Sequence, residues 1–384
     1  MQSDSSSLRD YFDDYWDIGL GFLCALLAYY AHATHHIYLT TLFAAISIVA
    51  FSVTVSEVAE ILAERLGEPY GSFVLTFSAV AVEIILLYMI LTAGGTEVSA
   101  NTLDTVKSGI ISAVIVDMNV LLGLAVFIGG LTFAEQEHNE DTSSTYTTIL
   151  FVSSIALLVP SLLIYTPDGS DKLLRASIII SIMLFTYYLI IYVFQTKTHS
   201  HFFKSTARSR ILRLKKKKQL QEDEEHEDDY IFEKFPNWAN LLVVFGLIFL
   251  VGVMAEIFAH DSQHVFEAFG INAGLAGLII AIISVSPELI TAIKAAKNDQ
   301  IQRVVNIAMG ASTVSILVTV PVLMGLAYFN HIPFTLDFNA LQIGALLLTV
   351  ILAWKTTDNG ETNYIEGVSH LMFFTCFAVI AALY

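Results

Sequence analysis

Two membrane-length apolar stretches each carry one glutamate near the middle. These are Glu83 in GSFVLTFSAVAVEIILLYMIL and Glu288 in AGLAGLIIAIISVSPELITAI. A carboxylate at bilayer depth is expensive, and ionisable residues there mark ion or proton pathways. Residues three and four apart share a helix face. Thr76, Ala79 and Glu83 therefore line one side of their segment, with Ser78 close by, and Ser284, Glu288 and Thr291 line one side of theirs. Each stripe offers a carboxylate and hydroxyls among small residues. A hard cation such as Ca²⁺ takes about six to eight oxygen ligands, and two carboxylates neutralise its charge. The same two groups can take protons instead, because burial favours the neutral acid. A site that holds either a cation or protons, and never crosses empty, enforces exchange. The plainer reading of one such glutamate is a structural hydrogen bond between helices. Two in matching positions of opposed halves favour the ion site.

Other polar residues in apolar segments are candidate secondary ligands or pathway groups. Pro287 precedes Glu288 and removes the helix bond to the carbonyl of Ile283, which either supplies a ligand oxygen or marks an ordinary kink. Asn119 falls on a stripe with Ser108, Ser112 and Gly123. Asn306 shares a stripe with Thr313, and Ser312 lies beside it. Their amides either coordinate a cation or bond across helices. Asp117 faces away from Asn119, since two residues turn an α-helix by about 200°. Glu57, Glu60 and Glu64 form a row near one end of their segment, and Glu68 follows in the turn GEPYG. With Glu256, Glu57 and Glu68 are candidates for an acidic vestibule, and solvated helix ends are the alternative. The run Glu222–Asp229 lacks the spacing and glycine of an EF-hand loop and reads as a solvated linker. His35, His36, His199 and His201 show no metal-ligand spacing.

The elements that must position these groups are membrane helices. Of 384 residues, 55% are hydrophobic and 14% charged, and the mean hydropathy is +0.66. The apolar residues are gathered into runs that imply an all-α polytopic membrane protein with about eleven transmembrane helices. The expected spans are 17–33, 37–65, 70–93, 103–130, 147–166, 172–195, 237–259, 272–297, 302–328, 336–354 and 364–384. Period-2 alternation of a membrane barrel is absent. The net charge of −17 comes mostly from polar stretches such as EQEHNED and QEDEEHEDDY, which excludes nucleic acid as a partner. Cys24 and Cys376 both fall in apolar runs, so neither a disulfide nor a metal cluster is expected. The acidic start lacks a basic n-region, which argues against a cleaved signal peptide.

Residues 197–236 form the one long polar segment, basic in KSTARSRILRLKKKK and then acidic. Lys and Arg are retained on the cytoplasmic side, which puts this linker and the N-terminus inside. The expected organisation is an acidic cytoplasmic N-terminus (1–16), a leading helix (17–35), a first five-helix repeat (36–196), the linker (197–236) and a second five-helix repeat (237–384). In each half a glutamate-bearing span is followed by one carrying Ser, Thr and Asn. The first glutamate span runs outward and the second inward, an inverted-repeat plan with its site at the midplane.

These motifs carry a family resemblance. GEPYGSFVLTFSAVAVE resembles the first alpha-repeat of the cation/calcium exchanger superfamily, in its calcium/proton antiporter branch. SVSPELITAIKAAKNDQIQRVVNIAMGAS resembles the second. The likeness is to the bacterial calcium(sodium)/proton antiporter type and covers the chain after about residue 45. It implies one leading helix plus two inverted five-helix repeats. It implies Ca²⁺ export driven by H⁺ entry, with no permanently bound cofactor; the expected setting, from the lack of an organelle-targeting segment, is a bacterial inner membrane, with a vacuolar relative as the alternative. Glu83 and Glu288 take the places of the repeat glutamates that bind metal and exchange protons, and Asn306 and Ser312 fall in the polar part of the following helix. Many members carry a Gly-Asn pair before each glutamate. Here Ser78–Val82 and Ile283–Pro287 stand in those places, so a Na⁺(K⁺)/H⁺ antiporter of the same fold stays as the alternative. No HExxH motif or nucleophile elbow supports an enzyme. The partners implied are inorganic cations, protons and the lipid bilayer, with a homo-oligomer left open.

Overall fold

A backbone crossing hydrocarbon must satisfy its own hydrogen bonds, so long apolar runs become helices. The computed structural model describes residues 3–66, 70–93, 98–203 and 230–383. Among them, nine helical segments are long and apolar enough to cross a membrane: 37–66, 100–132, 140–165, 171–198, 237–268, 273–297, 301–329, 340–357 and 364–383. With α1 (Ser3–Ala33) and α3 (Tyr70–Thr92) they account for the eleven expected segments. Helix α1 starts at Ser3, so the acidic stretch set apart at 1–16 is helical from its third residue.

The chain forms two compact units, and neither coincides with a sequence half. The first contains α1, α2 (Ile37–Leu66), α3, a short helix α8 (Ile231–Lys234) and α9 (Asn237–Ala268). Within it α2 lies against α1 and α9, and α3 packs on both α2 and α9.

The second unit contains the other helices. Helix α4 (Ala100–Ile115) runs through a π-helical turn, Val116–Leu121, into α5 (Leu122–Thr132). Helix α6 (Glu140–Leu158) tightens into a 3₁₀ turn, Val159–Tyr165, ahead of α7 (Gly169–Val193). After α10 (Ala273–Lys297), helix α11 (Ile301–Val314) also passes through a π turn, Ser315–Thr319, into α12 (Val320–Phe329). Helices α13 (Ala340–Thr357) and α14 (Tyr364–Leu383) complete the unit. The strands β1 (Gln136–Glu137) and β2 (Glu361–Thr362) pair antiparallel and join two loops at one end.

Local chemistry sets the helix starts. Ser99, Asn272 and Asn339 cap α4, α10 and α13 by accepting the backbone N–H groups of Thr102, Leu275 and Gln342. The Asn339 cap is reciprocal, with Gln342 returning a bond to the cap backbone, the arrangement of a capping box. The segment 100–132 has 83% of its most apolar window buried, against 22% for 171–198 and for 364–383. It is the central element of its unit, whereas the other two present apolar surface such as Ile182, Ile190 and Met372 outward, as lipid-facing helices do.

Helices α10 and α4 approach closely at glycine. A Cβ on Gly277 would lie 2.5 Å from the backbone nitrogen of Gly109 and 2.6 Å from Cβ of Ser108. Small residues permit this contact, which drives helix association in lipid. Gly277→Leu is expected to lower stability by about 1–3 kcal/mol, the usual effect of overpacking. Gly344→Ala, which meets nothing within 4 Å, should leave it unchanged or slightly raised. Thermal unfolding of the purified protein in detergent checks both.

Candidate ion-binding site

Helix α3 carries Glu83 in the first unit, and the side chain is buried at 8% exposure. Ser78, also buried, donates its hydroxyl proton to the carbonyl of Val74 at 2.8 Å. Its oxygen lone pairs remain acceptors. The side chain of Thr76 and the whole of Glu68 lie outside the described residues. In the second unit, Glu288 is half-buried on α10. Ser284, one turn earlier, is buried and donates to the carbonyl of Ala281 at 3.0 Å. Pro287 lies inside α10 without ending it. Proline brings no N–H, so the carbonyl of buried Ile283 lacks its usual helical donor.

The π turn at Val116–Leu121 organises the polar centre of the second unit. Asp117 and Asn119 are both fully buried there and point to different neighbours, as their two-residue separation requires. Ser312 on α11 donates to Asp117 Oδ2 at 3.2 Å. The Asn119 amide nitrogen donates to the carbonyl of Ile115 at 3.1 Å and to Thr349 Oγ1 at 3.0 Å. His370 on α14, completely buried, places Nδ1 3.0 Å from Asn119 Oδ1 and Nε2 2.9 Å from Thr356 Oγ1. Both ends of the Asn119 amide are thus engaged in cross-helix bonds. On α13, Gln342 reaches Ser108 on α4 at 2.9 Å. Single π turns inside α-helices recur at functional sites. Two of the π turns among the described residues, Val116–Leu121 and Ser315–Thr319, lie in the spans that follow the glutamate helices in sequence, and another, Phe194–Thr198, closes the span of α7.

Of the remaining candidates, Asn306 and Glu57 contact residues of the linker. Asn306 donates to the carbonyl of Phe203 at 2.9 Å and accepts from Gln302 at 3.2 Å, so its amide holds the first residues of the linker. Asn139 and Thr142 both donate to the carbonyl of Phe202. In the first unit, Tyr230 donates to Glu57 Oε2 at 3.1 Å. Burial, then the carboxylates of Glu57 and Asp17, push the Tyr230 phenol well above the ordinary tyrosine range, so it stays a donor at any working pH. Arg65 donates to the carbonyls of Phe235 and Glu233. Glu60 is half-buried, and Glu64 and Glu256 are exposed.

The model of the sodium/calcium exchanger protein family matches residues 32–197 and 239–383. The chain belongs to that family. Among relatives of this exchanger family, it is 28% identical over 346 residues to the sodium-potassium/proton antiporter ChaA of Escherichia coli (strain K12), covering 88% of this chain and 87% of that one. It is 25% identical over 351 residues to a Ca(2+)/H(+) antiporter of Aphanothece halophytica, covering 89% of each. Its fold resembles the solved structure of native YfkE, with a TM-score of 0.76 at 20% identity over 96% of this chain and all of that one. It also resembles the H⁺/Ca²⁺ exchanger CAX, with a TM-score of 0.65 at 15% identity over 96% and 92%. The exchanger is an integral, multi-pass membrane protein.

Sequence reasoning did not weigh His370, although a lone imidazole in the apolar run 364–383 is visible there. It placed Asp117 on a face of its own and had no means of seeing the π turn or the Ser312 contact. Replacing His370 by Leu removes one partner each from Asn119 and Thr356. The expected loss is about 1–3 kcal/mol for each buried polar group left unsatisfied, read as a lowered midpoint of thermal unfolding. Thr375→Val, at an exposed position on the same helix, should leave that midpoint in place.

Proposed function

We propose that this chain is a secondary active transporter that exports Ca²⁺ in exchange for H⁺ by alternating access. The carrying observation is that in an exchanger-family chain each half carries a glutamate midway along an apolar helix, Glu83 buried and Glu288 half-buried. Relatives named Ca(2+)/H(+) antiporter, from Aphanothece halophytica and Synechocystis, align over nearly nine-tenths of the chain and support this reading. Glu83 and Glu288 alternately hold the cation and protons. Facing the cytoplasm they are deprotonated and load Ca²⁺. Facing outward, arriving protons displace it. With two protons per Ca²⁺ the charge carried through the hydrocarbon changes little between half-cycles, which avoids a net buried charge. The hydroxyls of Ser78 and Ser284 and the carbonyl of Ile283 are secondary oxygen donors of the kind a hard cation accepts. Asp117 and Ser312, bonded to each other, line the path or set the packing of the helices that do. The setting is a bacterial inner membrane, with the N-terminus and residues 197–236 in the cytoplasm.

A second reading is a Na⁺(K⁺)/H⁺ antiporter on the same fold. Two observations favour it. One relative is named sodium-potassium/proton antiporter, and Ser78–Val82 and Ile283–Pro287 lack amide side chains. Fewer amide oxygens suit a cation with a smaller ligand demand.

Vesicles containing the purified protein and an imposed pH gradient separate the two readings. Added Ca²⁺ should collapse the gradient in the wild type, and Na⁺ or K⁺ should do so weakly or not at all. Glu83→Gln and Glu288→Gln should each slow the collapse at least about tenfold, the effect of losing as little as about 1.4 kcal/mol of ligation. Retained Ca²⁺-driven collapse in both variants would overturn the site assignment. Collapse by Na⁺ or K⁺ with indifference to Ca²⁺ would favour the second reading.

A further inference from the structure

A cluster of metal-ligating side chains lies in the first unit, away from Glu83. His32 is in the last turn of α1, and His260 and Asp261 are near the far end of α9. His32 Nδ1 is 3.0 Å from Asp261 Oδ2, and His260 Nδ1 is 2.8 Å from Asp261 Oδ1. The two imidazole rings stand 5.7 Å apart at 89°. All three candidate donor atoms lie within 4.8 Å of one another. We propose that His32, His260 and Asp261 form a binding site for a divalent transition metal of the zinc class, separate from the site of the exchanged ion.

The donor set decides the class. Two imidazoles and one carboxylate suit Zn²⁺, Co²⁺ or Ni²⁺, whereas Ca²⁺ prefers oxygen ligands alone. Tetrahedral Zn²⁺ with bonds of about 2.0–2.2 Å spaces its ligand atoms about 3.3 Å apart, so the present cluster needs only a small contraction. Three protein donors leave a fourth position for water. Asp261 is 3% exposed, so its carboxylate is nearly dehydrated and fixed. His260 is 63% exposed at its side chain and His32 39%, so an ion can enter from water.

Position supports the same conclusion. Near the middle of α1, the Tyr15 hydroxyl accepts from the backbone N–H of Ile231 in the linker and its ring stacks on Tyr230 at 5.5 Å. Helix α9 starts just beyond, at Asn237. At about 1.5 Å per residue, His260 lies about 35 Å along α9, past a hydrocarbon layer of about 30 Å. The cluster therefore sits at the aqueous face opposite the linker. A bound ion would tether the end of α1 to α9, the helix on which α3 packs.

The competing description is a closed His–Asp–His hydrogen-bonded bridge that needs no ion. Titration of the purified full chain with Co²⁺ near neutral pH distinguishes them. The site predicts one equivalent bound with the intense visible bands of tetrahedral Co²⁺, displaced by Zn²⁺. The bands should persist in Glu288→Gln, and binding should weaken at least tenfold in His32→Ala and His260→Ala. His260→Gln keeps a donor for Asp261 and guards against loss of fold. It should match the wild-type unfolding midpoint without Co²⁺ and fail to shift upward when Co²⁺ is added, as the wild type does. Absence of the bands in the wild type, or an unchanged titration in both alanine variants, overturns the proposal.

Discussion

An ionised carboxylate cannot rest unneutralised in hydrocarbon, and the arrangement of this exchanger follows from that constraint. A membrane helix can keep a glutamate only if a cation or a proton accompanies it whenever it is shielded from water. We propose that Glu83 and Glu288, one in each compact unit, are the groups this constraint governs. The same requirement that makes them costly makes them useful. A group that must always hold something positive exchanges one positive species for another.

The second unit is built around a buried polar network of its own. The segment 100–132 is the most buried of the candidate spans. Its π turn lets a carboxylate and an amide leave the helix in different directions. Asp117 meets Ser312, whereas Asn119 is held by Thr349 and His370. Such a network, with each amide end occupied, fixes helices that have no hydrophobic effect to drive them together within lipid. The glycine contact between α10 and α4 serves the same end by bringing backbones together. The π turn Ser315–Thr319 gives the later half a counterpart in the span after its glutamate helix. The linker ends are fastened as well. Asn306 grips Phe203 in one unit, and Arg65 and Glu57 grip residues 230–235 in the other.

Much of this was legible in the sequence because hydrophobic run length reports directly on membrane helices. The span expected at 272–297 is found at Ala273–Lys297, and that at 302–328 at Ile301–Phe329. The tenth span shifted by several residues, whereas the last, expected at 364–384, is found at Tyr364–Leu383. Asn339 caps α13 after the expected start at 336, and the helix runs on to Thr357. The glutamates announced themselves by chemistry, since charge in an apolar run is rare. What stayed hidden depends on tertiary geometry. A π turn changes local register without any dedicated residue type, and Asn119 reads equally as a ligand or a cross-helix bond until its partners are known. His32 is separated from His260 and Asp261 by more than two hundred residues, so no spacing rule could find the trio.

The central claim is that the cation and protons compete for the same two carboxylates. Calorimetric titration of the purified protein with Ca²⁺, in buffers of different ionisation heat near neutral pH, counts the protons released on binding. The account predicts about two protons per Ca²⁺ in the wild type and about one fewer in a variant lacking either glutamate. Ca²⁺ binding of undiminished strength with no proton release, in the wild type and in both variants, would contradict it.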